Sequence, residues 1–149
     1  LRAVEEVNEY QKSVLFDKLA EHYGTKLTDK TIAIWGLSFK PETDDIREAP
    51  AMAIIEQLIN AGARVKVYDP AAMEQTRNRF GNRIEYAADK YAAIKGADAL
   101  LLVTEWKEFR LPDFERMKRL MRTPLILDGR NIFDRDELHN GGFEYEKIG

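Results

Sequence analysis

Thr31-Ile32-Ala33-Ile34-Trp35-Gly36 is a short, nearly continuous apolar run, rich in β-branched residues and stopped by glycine. A run of that length without polar alternation reads as a strand buried on both faces, the habit of parallel sheets. The residues after Gly36 decide the class. A polar, proline-containing stretch over 38–49 leads to Pro50, placed at the first position of a helix. That helix carries Met52, Ile54, Ile55, Leu58 and Ile59 and stops at Gly62. Residues 64–68 (Arg-Val-Lys-Val-Tyr) read as a second strand, and Asp69-Pro70 turns into a helix over 71–80. The alternation continues with a weaker strand at 83–86, a short helix around 89–95 and an emphatic buried strand at 99–103. A helix over 112–121 and a strand at 124–128 complete it. Phe133, Leu138, Phe143 and Tyr145 lie in a loop-rich tail expected to pack back or to add an edge strand. The fold class expected is α/β: a Rossmann-like, doubly wound, mostly parallel sheet of five or six strands.

Ahead of that unit, Val4, Val7, Tyr10, Val14, Leu15, Leu19 and Tyr23 recur at helical spacing over residues 1–23, and Gly24 is the stop. At about 1.5 Å per residue this helix is roughly 35 Å long. A domain of this size has a radius of gyration near only ~15 Å. The helix is therefore expected to overhang and to seek another domain or subunit, the alternative being that it folds back on its own sheet.

Composition bounds the function. The chain has 149 residues, 44% hydrophobic and 33% charged, which is ordinary for one globular domain. The absence of cysteine excludes disulfides, Cys-ligated zinc and a cysteine nucleophile within this chain. Two histidines, His22 and His139, do not make a His-rich metal site. With 23 Lys+Arg against 26 Asp+Glu the net charge is −3, without the basic stripe of a nucleic-acid binder. No apolar run approaches the roughly 18 residues that span a bilayer. The first residues, Leu1-Arg2-Ala3-Val4-Glu5-Glu6, are not a signal peptide. The expectation is a cytoplasmic protein, either processed or part of something longer.

Ligands of a doubly wound sheet bind outside the carboxyl ends of its strands. Three segments supply such ends: 36–47, 104–106 and 128–131. The dinucleotide fingerprint wants G-x-G-x-x-G in the first turn, but the window reads Gly36-Leu37-Ser38-Phe39-Lys40-Pro41. Asp69 stands where a ribose-binding acid would, without the glycines. What the loop offers instead is Phe39 and Lys40, a packing face beside a point charge, suited to a phosphorylated ligand. Arg130 can bring a guanidinium fork to the same crevice. The alternative reading pairs Lys40 and Arg47 with Asp44, Asp45 and Glu48 in a solvated loop. Ser38 and Thr104 lack a histidine base, Asp89 is a poor phosphoacceptor, and Glu105-Trp106 reads first as a strand-end cap or packing pair. No self-sufficient active site is expected.

These same segments resemble a known family. Residues 7–12 (Val-Asn-Glu-Tyr-Gln-Lys), 34–50 with the run Gly-x-x-Phe-Lys-Pro-x-Thr-Asp-Asp-x-Arg-Glu, 67–70 (Val-Tyr-Asp-Pro), 103–106 (Val-Thr-Glu-Trp) and 127–131 (Leu-Asp-Gly-Arg-Asn) carry the likeness. They look like the C-terminal portion of the UDP-glucose 6-dehydrogenases, within the UDP-glucose/GDP-mannose dehydrogenase family. The resemblance implies oxidation of the sugar C6 hydroxyl with two NAD, through a cysteine thioester, to UDP-glucuronate. It implies that residues 1–24 end a central helix that builds a homodimer and that 25–149 form a UDP-sugar-binding domain. Phe39, Lys40 and Arg130 would contact UDP-glucose or UDP, and Arg47 would reach across a cleft to NAD. The dinucleotide fingerprint and the catalytic cysteine of the family are missing, so the chain is expected to be inactive alone. Two other readings stand beside this one: a dehydrogenase of another nucleotide sugar, such as GDP-mannose or a UDP-N-acetylhexosamine, and a free-standing nucleotide-binding module.

Overall fold

Strand β1 (Thr31–Trp35) is the centre of a six-stranded sheet ordered β3-β2-β1-β4-β5-β6, with every neighbouring pair parallel. The computed structural model describes residues 14–148. In chain order these are helix α1 over 14–23, β1, α2 (Pro50–Asn60), β2 (Arg64–Tyr68), α3 (Met73–Phe80), β3 (Glu85–Tyr86), α4 (Lys90–Ile94) and β4 (Ala99–Leu102). Then come α5 (Phe114–Leu120), β5 (Leu125–Asp128), α6 (Arg135–Asn140) and β6 (Glu144–Lys147).

The apolar run of β1 is continuous because both of its faces are buried. Ile32 and Ile34 join a core with Ile54, Ile55 and Leu58 of α2 and Phe80 of α3. Ala33 and Trp35 join a second core with Ile94, Met117 and Leu138 on the opposite side. Helices α1, α2 and α3 thus cover one face, and α4, α5 and α6 the other. The chain changes face at the crossover from β3 to β4, so the strand order reverses between β1 and β4. That reversal opens the crevice in which such sheets take ligands.

Several elements start where a carboxylate sets the boundary. The helix expected over 71–80 begins at Met73, because Asp69 Oδ1 accepts the N–H groups of Ala71 (2.8 Å) and Ala72 (2.9 Å) and holds that turn open. The helix expected over 112–121 begins at Phe114, with the Asp113 side chain as N-cap on Arg116 N–H. The tail is more regular than expected. Asp134 caps α6 by accepting from Glu137 N–H, and β6 adds the sixth, parallel, edge strand. Helix α6 has only Leu138 buried, so it shows no apolar periodicity to read.

Helix α1, over its described residues, packs on its own sheet. Leu15 and Leu19 are fully buried in the core of the α2 face. Lys18 and His22 meet Glu146 of β6 at 3.5 and 2.5 Å, and Tyr23 donates to the carbonyl of Asp98 at 2.7 Å. The overhang expected of a helix over 1–23 is thus not seen at residues 14–23, which fold back on the sheet, and residues 1–13 lie outside the described residues.

Candidate functional site

The loops after β1, β4 and β5 meet at the carboxyl edge of the sheet, and two buried aspartates organise them. Asp69, at the end of β2, is 1% exposed. Its Oδ2 accepts the N–H groups of Leu37 (2.7 Å) and Ser38 (3.2 Å) and the indole N–H of Trp106 (3.1 Å). Its Oδ1 holds the turn between β2 and α3. Asp128, the last residue of β5, is fully buried. It accepts four backbone N–H groups, from Arg130, Asn131, Ile132 and Phe133, and the Tyr145 hydroxyl at 2.6 Å. Burial, together with the bond to this carboxylate, raises the Tyr145 phenol well above its ordinary range, so it stays a donor. A buried carboxylate is stable only when its lone pairs are filled, and both of these are filled by the loops they shape.

The loops also bear the strain. Among the described residues the non-glycine positions with positive φ are Glu42 (66°), Glu48 (61°) and Asn131 (59°), all on the β1 and β5 loops. Strained backbone of this kind gathers at binding sites, where the surrounding structure over-determines it.

Phe39 and Lys40 stand on the first of these loops. Phe39 is 38% exposed, and Lys40 Nζ lies 5.4 Å from the centre of its ring. Among the described residues no carboxylate pairs with Lys40. Arg47 goes the other way. Its guanidinium forks onto Asp45 at 3.0 and 2.8 Å, and it lines an open cleft of about 420 Å³ with Thr43, Ile46 and Gln75. The hydrogen bonds of Arg47 hold the Asp45 carboxyl down at about 2. Of the pairings with loop acids, the one between Arg47 and Asp45 is therefore present, and none is formed by Lys40 among the described residues. Arg130, on the β5 loop, gives its Nε–H to Glu105 on the β4 loop. Thr104 Oγ1 donates to the Ser38 carbonyl at 2.5 Å. Lys40 and Arg130 thus stand on loops joined through Thr104 and Glu105, while Arg47 faces a separate cleft.

A dinucleotide does not fit the first turn of this sheet. Gly36 has φ +100°, and a Cβ there would run into the backbone of Thr104. The close approach that a glycine grants to a pyrophosphate is here taken by the β4 loop. The Asp69 carboxylate, filled by the N–H groups of Leu37, Ser38, Ala71 and Ala72 and by the Trp106 indole, has no lone pair turned out to a ribose. Ser38 and Thr104 are each 1% exposed, with their hydroxyls engaged on Lys40 and Ser38 carbonyls, so neither is a nucleophile. Asp89 is the N-cap of α4. Among the described residues no group of three or more His, Asp or Glu side chains is placed to hold a metal.

The sequence profile of the UDP-glucose/GDP-mannose dehydrogenase family, UDP binding domain, matches residues 33–135. The chain belongs to this family. It is 46% identical, over its whole length, to a UDP-glucose 6-dehydrogenase of Pseudomonas aeruginosa, of which it covers 34%. The fold matches a UDP-glucose dehydrogenase of Pyrobaculum islandicum with TM-score 0.78 at 30% identity, over 99% of this chain and 31% of that one. A UDP-D-ManNAc dehydrogenase of Pyrococcus horikoshii matches at TM-score 0.71 and 28% identity, over 92% of this chain and 29% of that one. The chain spans about a third of the length of these relatives. The matched stretch is that family's UDP binding domain, and in this chain its first turn is closed to dinucleotides.

The sequence pointed to Phe39, Lys40, Arg47 and Arg130. It did not reveal Asp128 as the anchor of the Arg130 loop or Glu105 as the partner of that arginine. The available signal for Asp128 was an aspartate that ends an otherwise apolar strand, where an unfilled charge would be untenable.

Proposed function

We propose that the chain is the nucleotide-sugar-binding part of a UDP-glucose 6-dehydrogenase, the oxidoreductase that takes UDP-glucose and two NAD to UDP-glucuronate. Phe39, Lys40 and Arg130 contact the UDP-sugar: Lys40 as a point charge, Arg130 as a fork, Phe39 as an apolar face. The observation that carries this reading is that the loops bearing Lys40 and Arg130 are tied together through Thr104 and Glu105 beside the strand-order reversal, where the first turn is closed to a dinucleotide. NAD is held mainly by parts of the enzyme beyond this chain, with Arg47 as its contact here. The exposed position of Arg47, on a cleft that Lys40 does not line, supports that division.

Residues 1–24 end a central helix that builds a homodimer, and 25–149 form the binding domain. The enzyme works in the cytoplasm. No helix among the described residues is long and apolar enough to cross a membrane. UDP-glucose is preferred over other nucleotide sugars because the relative with 46% identity is a UDP-glucose 6-dehydrogenase.

Calorimetric titration of the chain with UDP, GDP and NAD tests the reading. UDP binds, and replacing Lys40 or Arg130 by alanine weakens it by about 1–3 kcal/mol each, the range of a charge-assisted hydrogen bond. Unchanged affinity in both variants removes the site. The chain alone turns over no UDP-glucose; NADH produced by the pure chain overturns that part.

A further inference from the structure

The three side chains of Thr104, Glu105 and Trp106 divide their polar atoms between two loops. Thr104 Oγ1 reaches the Ser38 carbonyl at 2.5 Å, and Trp106 Nε1 reaches Asp69 Oδ2 at 3.1 Å. That same carboxylate oxygen holds the N–H groups of Leu37 and Ser38. The first contact ends on the stem of the loop that carries Phe39 and Lys40, and the second reaches that stem through Asp69. Glu105 alone serves the other loop, where its Oε2 accepts the Nε–H of Arg130. The two side chains are 17% and 27% exposed, so solvent screens this pair less than a pair on the open surface. The β5 loop is fixed beneath it as well, since Gly129 N–H donates to the Leu102 carbonyl at 2.8 Å. A Cβ on Gly129 would lie 2.9 Å from that oxygen.

The charge of Glu105 makes its place informative. A diphosphate is an anion, and a carboxylate beside it lowers the attraction that Lys40 and Arg130 provide. Electrostatics alone would exclude an acid here, so its role is geometric. A guanidinium recognises phosphate through a planar fork, which is useful only when the plane is fixed before the ligand arrives.

We propose that Glu105 is a positioning residue for nucleotide-sugar binding: it holds the Arg130 guanidinium and so ties the β5 loop to the Lys40 loop through the Thr104-Glu105-Trp106 segment. The inference rests on the reading that Lys40 and Arg130 contact the UDP-sugar. Glu105 acts through Arg130 and does not itself touch the ligand.

The test combines the NMR resonance of Arg130 Nε–Hε with UDP titrations of the wild-type, E105Q, E105A, R130A and E105A/R130A chains. Gln keeps an acceptor oxygen for Nε–H, so E105Q retains the protected resonance and binds UDP within about threefold of wild type. E105A loses the protected resonance and binds UDP about tenfold more weakly. The double variant binds no more weakly than R130A, because the two side chains act as one unit. Additive losses, or an unchanged Arg130 resonance in E105A, overturn the proposal. So does an E105A chain that melts earlier yet binds UDP as wild type does, which marks a staple between loops and nothing more. A wild-type chain that binds no UDP overturns the proposed function itself. A wild-type chain that binds UDP, with E105A its equal, overturns only the role of Glu105.

Discussion

Asp45 and Arg47 show how much two exposed residues can settle between themselves. The fork from Arg47 keeps the Asp45 carboxyl at about 2, and this lowered value means the pair is intact above the ordinary carboxylate range and comes apart as pH falls through that value. In R47A the Asp45 carboxyl is expected to titrate higher than in the wild type yet still below an ordinary aspartate, because the backbone N–H of residue 47 keeps donating to it, read by carboxyl-carbon NMR with the fold unchanged. Gly36 is the opposite case, a residue whose replacement the fold cannot absorb. Its φ of +100° and the Thr104 backbone against its α-carbon make G36A strained and clashing at once, at a cost of about 3 kcal/mol or more in chemical denaturation. The sequence marked Gly36 as the first glycine of an incomplete fingerprint. It could not tell that the space is filled by Thr104, because that contact joins loops 68 residues apart in the chain, a relation no local pattern carries.

At the scale of elements, boundaries and buried strands were the legible part. The run at 31–36, the Pro50 start and the 64–68 strand all appear within a residue or two of where apolar pattern and capping residues put them. Helix α6 was not legible, because six residues with one buried side chain have no period; its signal was the Asp134 cap and the acids of its first turn. The attachment of α1 to β6 was equally hidden. Burial pushes the Glu146 carboxyl up, but the His22 hydrogen bond and the Lys18 charge outweigh it and hold it below the usual glutamate range. The contact therefore contributes fully above that range and is lost as pH falls through the lowered value. Hydrogen exchange of the α1 amides is expected to quicken about two- to fivefold on that acidification, an exposed pair being worth less than about 1 kcal/mol. E146Q removes the pH dependence. A wild-type α1 whose protection ignores pH in that window rules the tie out.

For the whole molecule, the two hydrophobic cores share one sheet, and the reversal of strand order beside β1 leaves a crevice between the helical layers. The architecture follows from alternation and from strands without polar faces, which is why the fold class was readable from 149 letters. The candidate site was readable only as residue types at strand ends. Its geometry depends on Asp69 and Asp128, whose partners come from three loops and a distant tyrosine. The tie between His22 and Glu146, 124 residues apart, also has a consequence for biosynthesis. Translation at about 5–20 residues per second leaves roughly 6–25 s between the emergence of these two partners. During that interval Lys18 and His22 have no Glu146 to meet, and α1 rests on its apolar contacts and the Tyr23 hydrogen bond. The sixth strand of the sheet thus closes the polar seat of its first described helix.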